Sequence, residues 1–210
     1  MSLQRSSLKL RIGAAGGITA PIVAFACIIA AITSYPQFSW TNNALSDLGI
    51  VEGITGPLFN FGLITAGILA LIFATLGLFT FMGKSSLGKV GSGFFAAATI
   101  ALICIGIFNE NFSPTHYIVS VAFFMLAPIG LFILTCAFYR NHQRGIAAFT
   151  VAIGAVAALA WILQFTLNYV PNVAIPETIS ALAISVWAIV LAKIMLKHKP
   201  VSQIEKNSIS

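Results

Sequence analysis

Six apolar runs, each about 20 residues long, dominate this sequence. They cover approximately residues 12–34, 57–82, 90–108, 116–139, 147–169 and 176–196. A helix of roughly 20 residues crosses the hydrocarbon core of a bilayer. These runs are apolar on all faces, whereas the strands of a membrane barrel are about ten residues long and alternate. The pattern predicts an all-α fold, a polytopic integral membrane protein with a bundle of six transmembrane helices.

The composition agrees with this fold class. Of the 210 residues, 59% are hydrophobic and only 8% are charged, whereas soluble domains have roughly 25% charged residues. We expect one transmembrane domain over residues 1–199 and a disordered cytoplasmic tail over residues 200–210. The expected location is the cell membrane, which the chain would cross several times.

The charges are distributed unevenly between the two sides of the predicted bundle. All 11 Lys and Arg residues lie before the first run, between the second and third, between the fourth and fifth, or in the last turn of the sixth and after it. Because Lys and Arg collect on the cytoplasmic side of a membrane, both termini are predicted to be cytoplasmic. No basic patch is interleaved with aromatic residues, so nucleic acid is not an expected partner.

Polar side chains cluster toward the opposite, outer side. Four of the five acidic residues lie there, and so do the amide, imidazole and hydroxyl groups near the outer ends of the runs. Because polar groups inside a bilayer are costly, their depth is informative. We predict an outward-facing polar pocket that binds a ligand through Asp47, Asn60, Glu110, His116, Ser120, Gln164, Asn168 and Glu177.

The same residues also have simpler, local explanations. A carboxylate in a loop can face water, and Glu177 can stabilise the N-terminus of its own helix through the helix dipole. For Glu52 we favour the solvent-facing explanation. Asp47 and His116 have fewer obvious local roles, and they are the two candidates for catalysis. Whether the protein is an enzyme stays open at this point.

No cofactor and no metal site are predicted. Haem bound between two axial His ligands needs them to face each other within the bundle, and the two His residues other than His116 fall on the cytoplasmic side. A metal ion held by His116, Asp47 and either Glu110 or Glu177 is compatible with the residue types. A single His, however, is more often a hydrogen-bonded structural residue.

A Ser–His–Asp nucleophilic arrangement is a weaker alternative. Ser46 or Ser120 would act together with His116 and Asp47. The strained G-x-S-x-G turn that exposes the nucleophile in many hydrolases does not occur in this sequence.

Two short motifs resemble a known family. They are "LSDLG", with Ser46, Asp47 and Gly49, and "GPLFNFGLI", with Pro57, Phe59, Asn60 and Gly62, and His116 opens the fourth run. They resemble the domain of unknown function nine-nine-eight, a bacterial and archaeal family of six-span membrane proteins, over residues 10–198. That family is distantly similar to the eukaryotic DRAM, Frag and Sfk group, linked to lipid remodelling, autophagy and membrane lipid organisation. The resemblance implies a six-helix fold, a prokaryotic source and a polar site at Asp47, Asn60 and His116, but no established activity.

The expected function is binding or modification of a lipid headgroup or lipid-linked substrate. An outer pocket at headgroup depth suits such a ligand, and its acidic side chains favour a zwitterion, a cation or a sugar over a bare anion. The alternative is a structural or accessory subunit without catalytic activity, bound to a membrane protein or to a second copy. Small residues spaced four apart, such as Gly13 and Gly17, let helices pack closely and suit that alternative too.

Overall fold

Long α-helices make up most of the protein. The structure is a computed structural model that describes residues 2–197, with side chains from residue 5 onward. The long helices are α1 (Ser2–Thr33), α2 (Thr55–Phe81), α3 (Ser86–Ile107), α4 (Thr115–Arg140), α5 (Arg144–Leu167) and α6 (Ala174–Lys197). Short 3-10 helices, Ser46–Ile50 and Glu110–Phe112, lie in two of the loops. Residues 2–197 contain no strand.

All six long helices are long and apolar enough to cross a membrane, which confirms the predicted fold class. Helix α1 begins at Ser2, well before its apolar run begins at about residue 12. Lys and Arg have good helix propensity, so the helix continues through Arg5, Lys9 and Arg11 beyond the apolar part. The predicted tail, residues 200–210, lies outside the described residues.

The six helices form a closed ring. Each helix packs against the helix that precedes it in sequence, and α6 returns to pack against α1. A π-helical stretch of α2, Phe73–Leu78, also contacts α6 across the ring. The ring therefore has an interior that side chains from several helices can fill or leave open.

The loops that follow α1, α3 and α5 meet at one end of the ring. Asn172 N donates a hydrogen bond to Thr41 O, and Ala174 N donates one to Asn43 O, both at 3.0 Å. We call this end the acidic end, because it carries Asp47, Glu52, Glu110 and Glu177. The opposite end, where residues 82–85 and 141–143 connect the helices, is called the basic end.

Toward the basic end, the interior of the ring is filled by aromatic rings. The ring centroids of Phe95 and Trp187 are 5.1 Å apart, and Phe73 lies 6.0 Å from Trp187 and 6.1 Å from Phe95. Trp187 Nε1 donates a hydrogen bond to Thr150 Oγ1 at 3.1 Å, so its buried N–H group has a partner. These three rings, named the aromatic cluster below, close the interior.

Helix α1 packs against the π-helical stretch of α2 with backbone in contact with backbone. A Cβ added to Gly13 would collide with the backbone of Gly77, and one added to Gly16 would lie 2.5 Å from Leu69 O. Only glycine allows this approach. Close packing at Gly13, expected from the sequence, is confirmed.

Candidate functional site

Carboxylates hold the first loop at the acidic end. Asp47 Oδ2 accepts a hydrogen bond from Asn43 Nδ2 at 2.7 Å and another from Ala44 N at 3.0 Å. Asp47 lies in the first turn of the 3-10 helix Ser46–Ile50. A short polar side chain commonly stabilises a turn by bonding nearby backbone in this way.

Two carboxylates from other segments bind the same loop. Leu45 N donates to Glu177 Oε2 at 2.6 Å, and Ser46 Oγ donates to Glu110 Oε1 at 2.7 Å. Glu177 comes from the first turn of α6, and Glu110 comes from the 3-10 helix before α4. Residues 43–46 therefore each direct one donor to a carboxylate, and such charge-assisted bonds are stronger than neutral ones.

Two amide side chains hold the end of this loop. Gly49 O accepts hydrogen bonds from Asn60 Nδ2 at 2.8 Å and from Asn109 Nδ2 at 3.4 Å. A Cβ added to Gly49 would lie 2.6 Å from Asn60 Oδ1. Asn60 thus fixes the loop to α2, and the close contact explains why glycine occupies position 49.

His116, at the start of α4, is 8% exposed. Its Nδ1 lies 2.7 Å from Phe108 O. Because a carbonyl only accepts, Nδ1 carries a proton, and in the neutral imidazole Nε2 is then the acceptor. Ser120 Oγ lies 3.4 Å from Nε2, one helical turn further along. The Ser120 hydroxyl can therefore donate a hydrogen bond to Nε2 of a neutral imidazole.

A cavity of about 650 Å³ lies among these groups, between the loops and helices α4, α5 and α6. Ligand pockets are typically about 300–1,000 Å³. The groups described above form one wall of this polar cavity: Ser46, Asp47, Glu110, His116, Ser120 and Glu177. Aromatic side chains form much of the rest: Tyr117, Phe124, Trp161 and Phe165.

The polar cavity opens sideways through the outer surface of the bundle. Four residues that line it are also exposed: Tyr117 at 66%, Met125 at 58%, Phe165 at 68%, and Ser113 in the loop before α4. From His116 to Met125 the lining extends roughly 14 Å along α4. Because the exposed residues Tyr117, Met125 and Phe165 belong to α4 and α5, we infer that the cavity opens between these two helices.

A second, apolar cavity of about 120 Å³ lies inside the ring. Helices α1, α2, α3, α4 and α6 surround it, and Phe73 and Phe95 of the aromatic cluster border it. Four residues line both cavities: Ser46, Ser120, Phe124 and Glu177. The two spaces are therefore neighbours: the apolar cavity has an almost wholly apolar lining, whereas the polar cavity combines apolar side chains with the polar groups described above.

Five of the eight residues predicted to bind a ligand line the polar cavity: Asp47, Glu110, His116, Ser120 and Glu177. The other three do not line it. Asn60 binds the loop, Gln164 Nε2 donates to Val170 O at 2.8 Å, and Asn168 ends α5 in a left-handed conformation. For all eight, ligand contact itself stays a prediction. Glu52 is exposed and lines neither cavity.

The sequence interpretation missed the aromatic side chains of this cavity. They are called the aromatic wall below: Tyr117, Phe124, Trp161 and Phe165. Trp161 packs on Phe124 at 4.6 Å between ring centroids and stacks on Phe165 at 5.7 Å. Trp161 and Phe165 are four residues apart and thus share one helix face. That spacing was a usable signal, but lipid-facing and cavity-facing residues are both apolar in a membrane helix.

The acidic groups of the polar cavity influence one another. Burial raises the pKa of Glu110 above its usual 4.5, and the negative charge of nearby Asp47 raises it further. The hydrogen bond from Ser46 and the proximity of His116 act in the opposite direction. None of the Lys and Arg residues that the structure describes lines the cavity. Within the part of the chain that the structure describes, no three His, Cys, Asp or Glu side chains are arranged to hold a metal ion.

Comparison with known proteins identifies a family. The model of a family described as "Protein of unknown function (DUF998)" matches residues 18–193. No curated protein and no solved structure matches the chain.

Proposed function

We propose a function for this chain, which belongs to the DUF998 family of membrane proteins: in the cell membrane it binds a lipid or lipid-linked molecule by its headgroup. The headgroup would lie in the polar cavity, against Asp47, Glu110, His116 and Glu177. One observation carries the proposal, namely that a polar and an apolar cavity share a wall. An amphiphilic ligand matches that pair of environments better than a wholly polar or wholly apolar one.

The sideways opening supports a ligand that arrives from the bilayer. Exposed Tyr117, Met125 and Phe165 line the cavity on the lipid-facing surface. A lipid could place its headgroup in the cavity while one acyl chain stays in the membrane. The small apolar cavity could receive part of another chain beside Ser120.

The distribution of charge supports an outward-facing site. The Lys and Arg residues of the described chain lie toward the basic end or in the adjoining helix turns. Since Lys and Arg favour the cytoplasmic side, the acidic end would face outward. The polar cavity would then be at the headgroup level of the outer leaflet.

Binding is tested by filling the cavity. Ser120→Phe places a ring where the two cavities meet, and we expect it to remove most of the lipid that copurifies in mild detergent. Ile162→Phe is the matched control, because Ile162 is 52% exposed and lines neither cavity. Native mass spectrometry would count the lipids that stay bound, and thermal unfolding would verify that both variants are folded.

Equal lipid retention in both variants would contradict the proposal. A stoichiometric protein partner in place of lipid would favour the accessory-subunit alternative.

Modification of the lipid is tested separately. Deletion of the gene should change the lipids of the outer leaflet if the Ser120–His116 pair, or another group in the cavity, performs chemistry on the bound headgroup. His116→Gln expressed in the deletion strain should then fail to restore the profile. An unchanged lipid profile on deletion would limit the function to binding.

A further inference from the structure

The polar cavity has three carboxyl groups in its lining, those of Asp47, Glu110 and Glu177. Among the residues that the structure describes, no Lys or Arg lines it. A buried carboxylate is costly unless it is paired, hydrogen-bonded or protonated. All three accept hydrogen bonds, but none has a Lys or Arg of the described residues beside it in the cavity, so a ligand that brings a positive charge of its own suits the cavity.

The carboxyl group of Glu177 has an oxygen available to such a ligand. Its side chain is more than nine-tenths buried, with 8% exposed. Oε2 accepts the hydrogen bond from Leu45 N, whereas Oε1 has no hydrogen-bond partner among the described residues. Glu177 also lies on the shared wall of the two cavities. One carboxylate oxygen is thus available to a ligand at the point where a headgroup would meet its chain.

The aromatic wall gives a second, independent indication. Phe124, Trp161 and Phe165 line the same cavity as the three carboxylates, and Tyr117 lines it near the opening. The face of an aromatic ring attracts cations, and quaternary ammonium groups are commonly bound among several rings. Carboxylates together with aromatic faces suit an organic ammonium group better than a sugar or an anion.

The spacing of the acidic groups favours a large cation over a metal ion. No three of the His, Cys, Asp and Glu side chains in the described part of the chain could hold one metal ion. An ammonium group with its substituents is larger, and it can contact carboxylates that do not converge on a single point. The volume of about 650 Å³ leaves room for it.

We propose that the ligand is an amphiphile with an ammonium headgroup, either a primary amine or a quaternary ammonium, held between Asp47, Glu110 and Glu177 and the aromatic wall. This inference rests on the proposed function above. The ammonium group donates hydrogen bonds to the free oxygen of Glu177 if it is a primary amine. A quaternary ammonium group instead lies against the rings of Trp161 and Phe124.

The test compares headgroups on one pair of acyl chains. The full chain, stripped of lipid in a nonionic detergent, is titrated with phosphatidylethanolamine, phosphatidylcholine and phosphatidylglycerol, and native mass spectrometry measures each dissociation constant. We expect at least one ammonium lipid to bind roughly tenfold more tightly than phosphatidylglycerol, since a bond to a charged group gives about that difference. Free choline and ethanolamine form a further arm, and they should bind much more weakly.

Two matched variants test whether the preference for an ammonium lipid depends on Glu177. Glu177→Gln keeps an acceptor for Leu45 N but removes the charge, and it should weaken binding of the preferred ammonium lipid roughly tenfold. Phosphatidylglycerol should bind this variant no more weakly than it binds the unmodified chain. Glu52→Gln is the control, because Glu52 is exposed and lines neither cavity, and its affinities should be unchanged.

The outcomes separate the two proposals. Equal affinity for all three lipids, with loss on Ser120→Phe, would overturn the ammonium inference and leave lipid binding intact. Absence of saturable binding by any lipid would overturn the proposed function itself. Free choline or ethanolamine binding as tightly as the lipids would support a cation site and overturn the lipid as its source.

Discussion

The two halves of the helix ring differ in how their interior is used. Toward the basic end, Phe73, Phe95 and Trp187 are at most 3% exposed and pack against one another. Toward the acidic end, the same ring holds two cavities and several buried polar groups. The first half obtains its stability from dense packing. The second half gives up packing for open space, and its loops depend on hydrogen bonds to carboxylates.

Removal of the central ring from the aromatic cluster should have the largest effect. Trp187→Ala should lower the free energy of unfolding by about 3–5 kcal/mol, because it leaves a void and an unpaired Thr150 hydroxyl. Phe124→Ala, at the cavity wall, should cost less than half as much, because space already surrounds that ring. Thermal and denaturant unfolding in a nonionic detergent would measure both. Equal losses would show that the two halves are packed alike.

A methyl group between α1 and α2 should have the next largest effect. Gly13→Ala should cost about 1–3 kcal/mol of stability, because its Cβ would collide with the Gly77 backbone and force the helices apart. Gly145→Ala is the control, since a Cβ there meets nothing within 4 Å. Unfolding of the two variants under the same conditions would compare them. A neutral Gly13→Ala would contradict the close packing assigned to the basic half.

Substitutions of Gly49 and Asn60, in and beside the loop at the acidic end, should have non-additive effects on the free energy of unfolding. The expected coupling energy is about 1 kcal/mol. Gly49→Ala should destabilise the protein, because its Cβ would lie 2.6 Å from Asn60 Oδ1. Asn60→Ala removes that atom, so the double variant should be less destabilised than the sum of the single variants. A double-mutant cycle of unfolding free energies measures the coupling. Simple additivity would show that Asn60 does not position the loop.

The smallest effect should be a pH dependence in the acidic half. Because the pKa of Glu110 is raised above 4.5 in the folded protein, folding favours its protonated form. This contribution to stability is fully present below about pH 4.5 and declines as the pH rises through the raised pKa. Glu110→Gln, which stays neutral, should have a flatter profile of unfolding temperature against pH above 4.5. Glu52→Gln should keep the original slope, and a Glu110→Gln slope that matches it would refute the assignment.

Sequence reasoning was most successful where one physical property decides the outcome. The apolar runs predicted all six long helices, because only a helix satisfies its own backbone in lipid. Because polar groups inside a bilayer are costly, their positions in the sequence also pointed to Asp47, Glu110, His116 and Glu177. These four residues line one cavity. Asn60 could not be assigned in this way. An amide at that depth can bind a ligand or a loop, and only the three-dimensional position of Gly49 O distinguishes the two.

The aromatic wall was not predicted from the sequence, for a different reason. Hydrophobic residues are expected on both the outer and the inner faces of a membrane helix, so Trp161 and Phe165 carry no burial signal. The exposed fraction of Phe165, 68%, is as high as that of an ordinary lipid-facing residue. Its place at a cavity follows only from how α5 is rotated against α4.

The contact of α1 with the π-helical stretch of α2 restricts how the helices can move relative to one another. No side chain lies between Gly13 and Gly77. The two helices therefore cannot come closer together, and they should move as one rigid unit. A widening that admits an acyl chain should therefore take place at one of the other helix contacts of the ring, such as the one between α4 and α5 that borders the polar cavity.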